Sequence, residues 1–98
     1  MRYTQLRAFH HVALTGGFSR AAEALHLSQP AVSEQVRSLE AAYDVSLFDR
    51  ARRTVALTAD GARLFESTRR LFDAEQAARE MLTEPVSMGS RRVSSTWR

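Results

Sequence analysis

The chain contains no cysteine and no lysine, only two prolines and four glycines, and no long apolar run. Without cysteine, disulfides and thiolate metal sites are excluded, which fits a reducing, cytoplasmic setting. No apolar stretch approaches the ~18 residues of a membrane span, so no membrane partner is expected. The opening stretch, MRYTQLRAFHHVALTGG, spaces its apolar residues like one helix face and interrupts them with His10 and His11, unlike a secretory signal. HExxH, a phosphate-cradling glycine loop and a nucleophile motif are all missing. The three histidines, His10, His11 and His26, read as surface or half-buried helix residues rather than ligands. Neither catalysis, nor a metal, nor a cofactor is expected.

What remains is 98 residues, 44% hydrophobic and 26% charged, with a net charge of +3. Such a chain builds one small domain with a thin core and gains from a partner subunit. The modest charge permits nucleic-acid binding without arguing for it. All 14 basic residues are arginine, which reflects genome composition or the bidentate geometry that suits phosphates and bases. Three of them crowd Arg50 to Arg53.

Hydrophobic periodicity predicts four helices. The first runs from Thr4, its N-cap, to Leu14, with Leu6, Phe9 and Ala13 inward and His10 and Val12 at the border; Gly16-Gly17 stops it. Ser19 caps a short second helix, Arg20 to His26, whose inward Ala21, Ala22 and Leu25 allow a close crossing. Ser28 caps a third, with Pro30 in its first turn and Val32, Val36 and Leu39 as its core stripe, ending near Ala42 or Tyr43. The short connection between the second and third is that of a helix-turn-helix. VSLFDR and TVALT then read as a small β-hairpin with its tip at Ala51 to Arg53. Thr58 caps a last helix from Ala59 to about Thr83, ended by Glu84-Pro85.

This last helix is ~37 Å long, more than the domain before it is wide. Leu64, Phe65, Thr68, Leu71, Phe72, Ala78, Met81 and Leu82 share its apolar side. Leu64, Phe65, Leu71, Phe72, Ala78 and Leu82 are therefore the candidate dimerisation residues, with the far ones meeting a second copy. The organisation expected is a domain at 1–58, a linker or dimerisation helix at 59–84, and a disordered tail at 85–98 whose change of character sets it apart as not necessarily native.

With its valines and Leu39 inward, the third helix turns Gln29, Pro30, Ser33, Glu34 and Arg37 outward. These residues suit a major groove. Gln29 pairs with adenine, Arg37 with guanine or phosphate, Ser33 with a base edge or phosphate, and Pro30 with a thymine methyl. Ser28 and the first backbone N–H groups suit a phosphate. Glu34 repels phosphate and accepts from cytosine or sits at the groove edge. Arg52 and Arg53 at the hairpin tip suit the minor groove. Arg50 suits a phosphate or an acidic neighbour such as Asp49.

These residues resemble the N-terminal winged helix-turn-helix domain of LysR-type bacterial transcriptional regulators. The resemblance covers Met1 to Leu82 and is carried by FSRAAEALHLSQPAVSEQVRSLE, LFDR and LTADG. It implies a mainly α winged helix-turn-helix fold followed by a linker helix that pairs two subunits, usually antiparallel. It also implies base-reading positions at Gln29, Pro30, Ser33 and Glu34, a wing arginine at Arg53 and a phosphate-binding threonine at Thr58. Double-stranded DNA and a homodimer partner follow, with higher oligomers left to the full-length protein. Members of the family continue into a domain that senses a small molecule. This chain is expected to be a fragment or truncated product that binds no effector. The competing reading is a winged helix used only for protein–protein contact.

Overall fold

The computed structural model describes residues 1–51 and 54–83. Four helices form: α1 (Tyr3–Thr15), α2 (Phe18–Leu25), α3 (Gln29–Tyr43) and α4 (Ala59–Thr83). The first three pack around one core in which Phe9, Val12, Ala21, Val32 and Val36 are wholly shielded from solvent. Ala21 and Ala22 put almost no side chain between α2 and its neighbours, so the helices cross closely, as their size predicts. Phe48 closes the base of this core, with its ring 5.3 Å from that of Phe9 and 5.7 Å from that of Phe18.

Three helix ends differ from expectation. Thr4 lies inside α1, whose N-cap is Arg2; the Gln5 side chain accepts the Arg2 N–H at 3.1 Å. Gly17, in extended backbone, takes the N-cap of α2, so Ser19 is displaced into its first turn. His26 ends α2 at φ 59°, a left-handed conformation that an imidazole side chain tolerates better than a branched one. The C-terminal end of α1 and the start of α3 follow the sequence: Gly16 at φ 83° terminates α1, and the Ser28 hydroxyl accepts the Ala31 N–H at 3.2 Å.

Of the expected hairpin, the described residues show the root. Among the described residues there is one antiparallel bridge, Phe48 with Leu57, flanked by Asp49 N–H to Ala56 O at 2.7 Å and Thr58 N–H to Leu47 O at 3.0 Å. The Asp49 carboxylate accepts the Ala51 N–H at 3.1 Å and turns the chain out of the ladder. Arg52 and Arg53 lie outside the described residues, as does the expected tail at 85–98.

The inward face of α1 is also broader than its periodicity suggests. Ala8 and His10 are buried, whereas Leu6 and Ala13 are only half-buried. The cause is α4, which covers a second side of α1. His10 Nδ1 lies 2.9 Å from Thr68 Oγ1, and its ring sits 4.7 Å from Phe72 and 5.4 Å from Phe65. Thr68 donates to the Phe65 carbonyl at 3.2 Å, so its oxygen is the acceptor for a His10 Nδ1–H. Thr68, expected on the apolar side of the last helix, is buried against α1.

Tyr3 extends the seam: its ring lies 5.7 Å from Phe72, and its hydroxyl donates to Glu75 at 2.7 Å. That bond raises the Tyr3 pKa and holds the Glu75 carboxyl below the usual range. At the other end of α4, Gly61 is obligatory: a Cβ there would collide with the Leu47 carbonyl oxygen.

Burial, aided by the neighbouring His11, lowers the His10 pKa, with Asp73 opposing and Arg69 adding to the fall. The folded protein thus binds this proton more weakly than the unfolded chain. Stability from His10 should be complete above pH ~6.5 and decline as pH falls below it. Thermal unfolding between pH 7.5 and 5 should show this decline, and His10→Gln should flatten it. An equal decline in the variant would remove His10 as its source.

Candidate nucleic-acid interface

The front of α3 is built by what its back must do. Val32, Val36 and Leu39 are buried, which turns Gln29, Pro30, Glu34 and Arg37 to solvent and leaves Ser33 half-covered. Ser28 is exposed beside them at the cap. These side chains are short or slender near the helix start, so the end that would enter a groove is its narrowest.

Several of these groups are already engaged. Gln29 Oε1 accepts from the Ser19 hydroxyl at 3.2 Å. The Glu34 carboxylate accepts from Ser38 at 3.1 Å and lies 3.8 Å from the Arg37 guanidinium. Both ends of that ion pair are two-thirds exposed, so it contributes little to stability. Its effect is local: it partly neutralises the one anion on the face.

The root of the hairpin stands beside this face. One concavity is bordered by Gln29, Ser33 and Arg37 from α3 and by Asp49, Arg50 and Thr54 from the hairpin. Arg50 is held there by Glu40, whose carboxylate lies 3.0 Å from its guanidinium, and the guanidinium also sits 5.8 Å over the Phe18 ring. Its pairing is thus with Glu40 rather than with the adjacent Asp49 considered from the sequence. That leaves it placed more to brace the wing than to reach out.

Thr58 does what its cap position requires. Its oxygen accepts the Gly61 N–H at 3.0 Å, and its proton goes to the Ser46 carbonyl at 2.6 Å. Since phosphate oxygens only accept, Thr58 must give up the Ser46 bond before its hydroxyl can donate to one. Of the candidate dimerisation residues, Leu64 and Phe65 are half-buried against their own core, because α4 starts on top of Leu47 and α1. Phe72 is covered by Tyr3 and His10. Leu71, Ala78 and Leu82 are exposed, Leu82 at 85%.

Glu40 was not singled out by the sequence. It is buried near the C-terminal end of α3, where the helix dipole disfavours an anion. That anomaly was the available signal. Its carboxylate accepts the Leu47 N–H at 2.8 Å and the Phe48 N–H at 3.4 Å besides binding Arg50.

A trihelical head with a slender polar α3, a short turn before it and an arginine-bearing hairpin beside it defines the winged helix-turn-helix class. The chain belongs to the bacterial regulatory helix-turn-helix proteins of the lysR family, whose model matches residues 3–62. It is 44% identical over 86 residues to the SDS degradation transcriptional activation protein of a Pseudomonas strain, covering 88% of this chain and 28% of that protein. It is 45% identical over 92 residues to the RuBisCO operon transcriptional regulator of Allochromatium vinosum, covering 92% of this chain and 30% of that one. The chain therefore spans less than a third of either relative. Among solved structures it is similar to the DNA-binding domain of BenM in complex with benA site 1 DNA, with a TM-score of 0.78 and 26% identity. That similarity covers 98% of this chain and 99% of that one.

Glu40→Ala strands two backbone donors and Arg50. It should cost about 2–3 kcal/mol in urea unfolding. Arg50→Ala should cost under about 1 kcal/mol, since the arginine is half-exposed. Equal, small losses from both would show that the carboxylate does not organise the hairpin root.

Proposed function

We propose that this chain is the DNA-binding domain of a LysR-type transcriptional regulator that recognises double-stranded DNA by sequence. The observation that carries this reading is the front of α3. Gln29, Pro30, Glu34 and Arg37 are exposed on the helix whose opposite side is fully buried. The near-complete match to a domain solved on its DNA supports it. In this reading α3 enters the major groove, where Gln29, Pro30, Ser33 and Glu34 face bases and Arg37 faces a base or phosphate. Ser28 and the α3 N-terminus hold a phosphate. Arg52 and Arg53 reach the minor groove; Arg50 and Thr58 reach the backbone only after leaving their present partners.

The second part of the proposal is a homodimer. Leu71, Ala78, Met81 and Leu82 are exposed on α4, with Met81 at 73%. Those side chains suit the same face of a second α4, and two heads so joined address successive major grooves ~34 Å apart or a multiple of it. Residues 1–58 form the head and 59–84 the linker. The whole regulator acts in the bacterial cytoplasm and reads an effector through a further domain. No helix among the described residues is long and apolar enough to cross a membrane, and no group of three or more metal-ligating side chains forms there.

Fluorescence anisotropy with labelled intergenic duplexes tests the first part. Tight binding at low salt should weaken steeply as salt rises, and Arg53→Ala should reduce the salt slope by about 1. Absence of binding at low salt would favour the protein-interaction reading. Sedimentation equilibrium tests the second part: a dimer is expected at tens of micromolar, and Leu71→Glu with Leu82→Glu should shift it to monomer. A wild-type monomer would overturn that part.

A further inference from the structure

We infer that Ser19 is a positioning residue for base recognition, its hydroxyl on α2 orienting the Gln29 amide at the start of α3 and so setting which bases Gln29 accepts. The inference rests on the DNA-binding reading above. Ser19 sits where a helix cap would be looked for, but Gly17 occupies that position and no side chain caps α2. The hydroxyl is therefore released from backbone duty, and it spans ten residues of sequence to Gln29 Oε1 at 3.2 Å. Gln29 is equally released, because the neighbouring Ser28 hydroxyl already accepts the Ala31 N–H. What brings the two together is the close approach of α2 and α3 through the buried Ala21 and Ala22.

A glutamine on an exposed helix start samples several rotamers, and a neighbour that bonds its amide restricts them. The Ser19 proton engages Oε1 and leaves both Nε2 protons available to the groove. A purine N7 accepts one of them. The second lone pair of Oε1 remains for the N6–H of adenine, and this combination is the bidentate adenine contact. Guanine offers O6 at that place, an acceptor facing an acceptor. By holding the Gln29 side chain where both amide atoms face the groove, Ser19 thus strengthens that preference without touching DNA.

Competition binding with duplexes varied one base pair at a time decides the matter, alongside amide NMR of the free protein. Ser19→Ala should lower discrimination at the single position read by Gln29 by about 3- to 10-fold, the range of one lost hydrogen bond. The salt slope should not change, Ser19→Thr should retain the preference, and Ser19→Ala should have no added effect once Gln29 is alanine. In the free protein the Gln29 side-chain amide signals should move in Ser19→Ala and stay in Ser19→Thr. Unchanged discrimination, or an even loss of affinity across all sequences, would overturn the role; the even loss would make Ser19 a phosphate contact. A wild-type protein that binds no duplex would instead overturn the DNA-binding reading itself.

Discussion

The architecture turns on the carboxylate of Glu40. It is a buried anion at the unfavourable end of a helix, and it persists because two backbone N–H groups and a guanidinium converge on it. Those contacts fix the chain as it leaves α3 and enters the hairpin. The hairpin itself is short of ladder bonds, with a single bridge among the described residues. Its placement beside the α3 front therefore comes from the end of α3, through Glu40, more than from strand pairing. Arg50 completes the arrangement by lying between this carboxylate and the Phe18 ring, tying the start of α2 to the same point.

The same economy governs the exposed face. A recognition surface works best when its side chains are ordered before the partner arrives, because ordering them on contact costs free energy. Here two polar side chains of the face are already engaged, Gln29 by Ser19 and Glu34 by Ser38 and Arg37. These bonds are solvent-exposed and weak, so they bias orientations without locking them. Such a bias suits a surface that must select among chemically similar sequences.

Much of this was legible in the residues. The inward sets on α2 and α3 could be read directly, because alanine pairs and a valine–leucine stripe at helical spacing admit one orientation. The C-terminal end of α1 and the start of α3 were legible through Gly16 and Ser28. The start of α2 was not, since a serine two residues past a glycine looks like a cap and only the backbone shows that the glycine holds that place. His10 illustrates a second limit. Periodicity describes one face of a helix, and α1 is covered on two sides, by its sequence neighbours and by a helix some 58 residues further on. Glu40 illustrates a third: its donors are backbone groups, which carry no sequence signature. Among the candidate site residues, those on α3 could be read from its stripe. The engagement of Arg50 and Thr58 required the packed chain, and Leu64 and Phe65 group with the dimerisation residues in the sequence because a long apolar side does not reveal how far along it the protein's own core extends.

Gly61 gives this fold a mechanical property. The α4 backbone rests directly on the Leu47 carbonyl because no side chain separates them, and the amide of that same Leu47 is bound by Glu40 at the end of α3. Leu47 therefore joins the two helices, its carbonyl bearing α4 and its N–H held by the end of α3. A sideways load on the distant tip of α4 is shared between that contact and the packed seam with α1. A change at this one residue would therefore be felt by both helices.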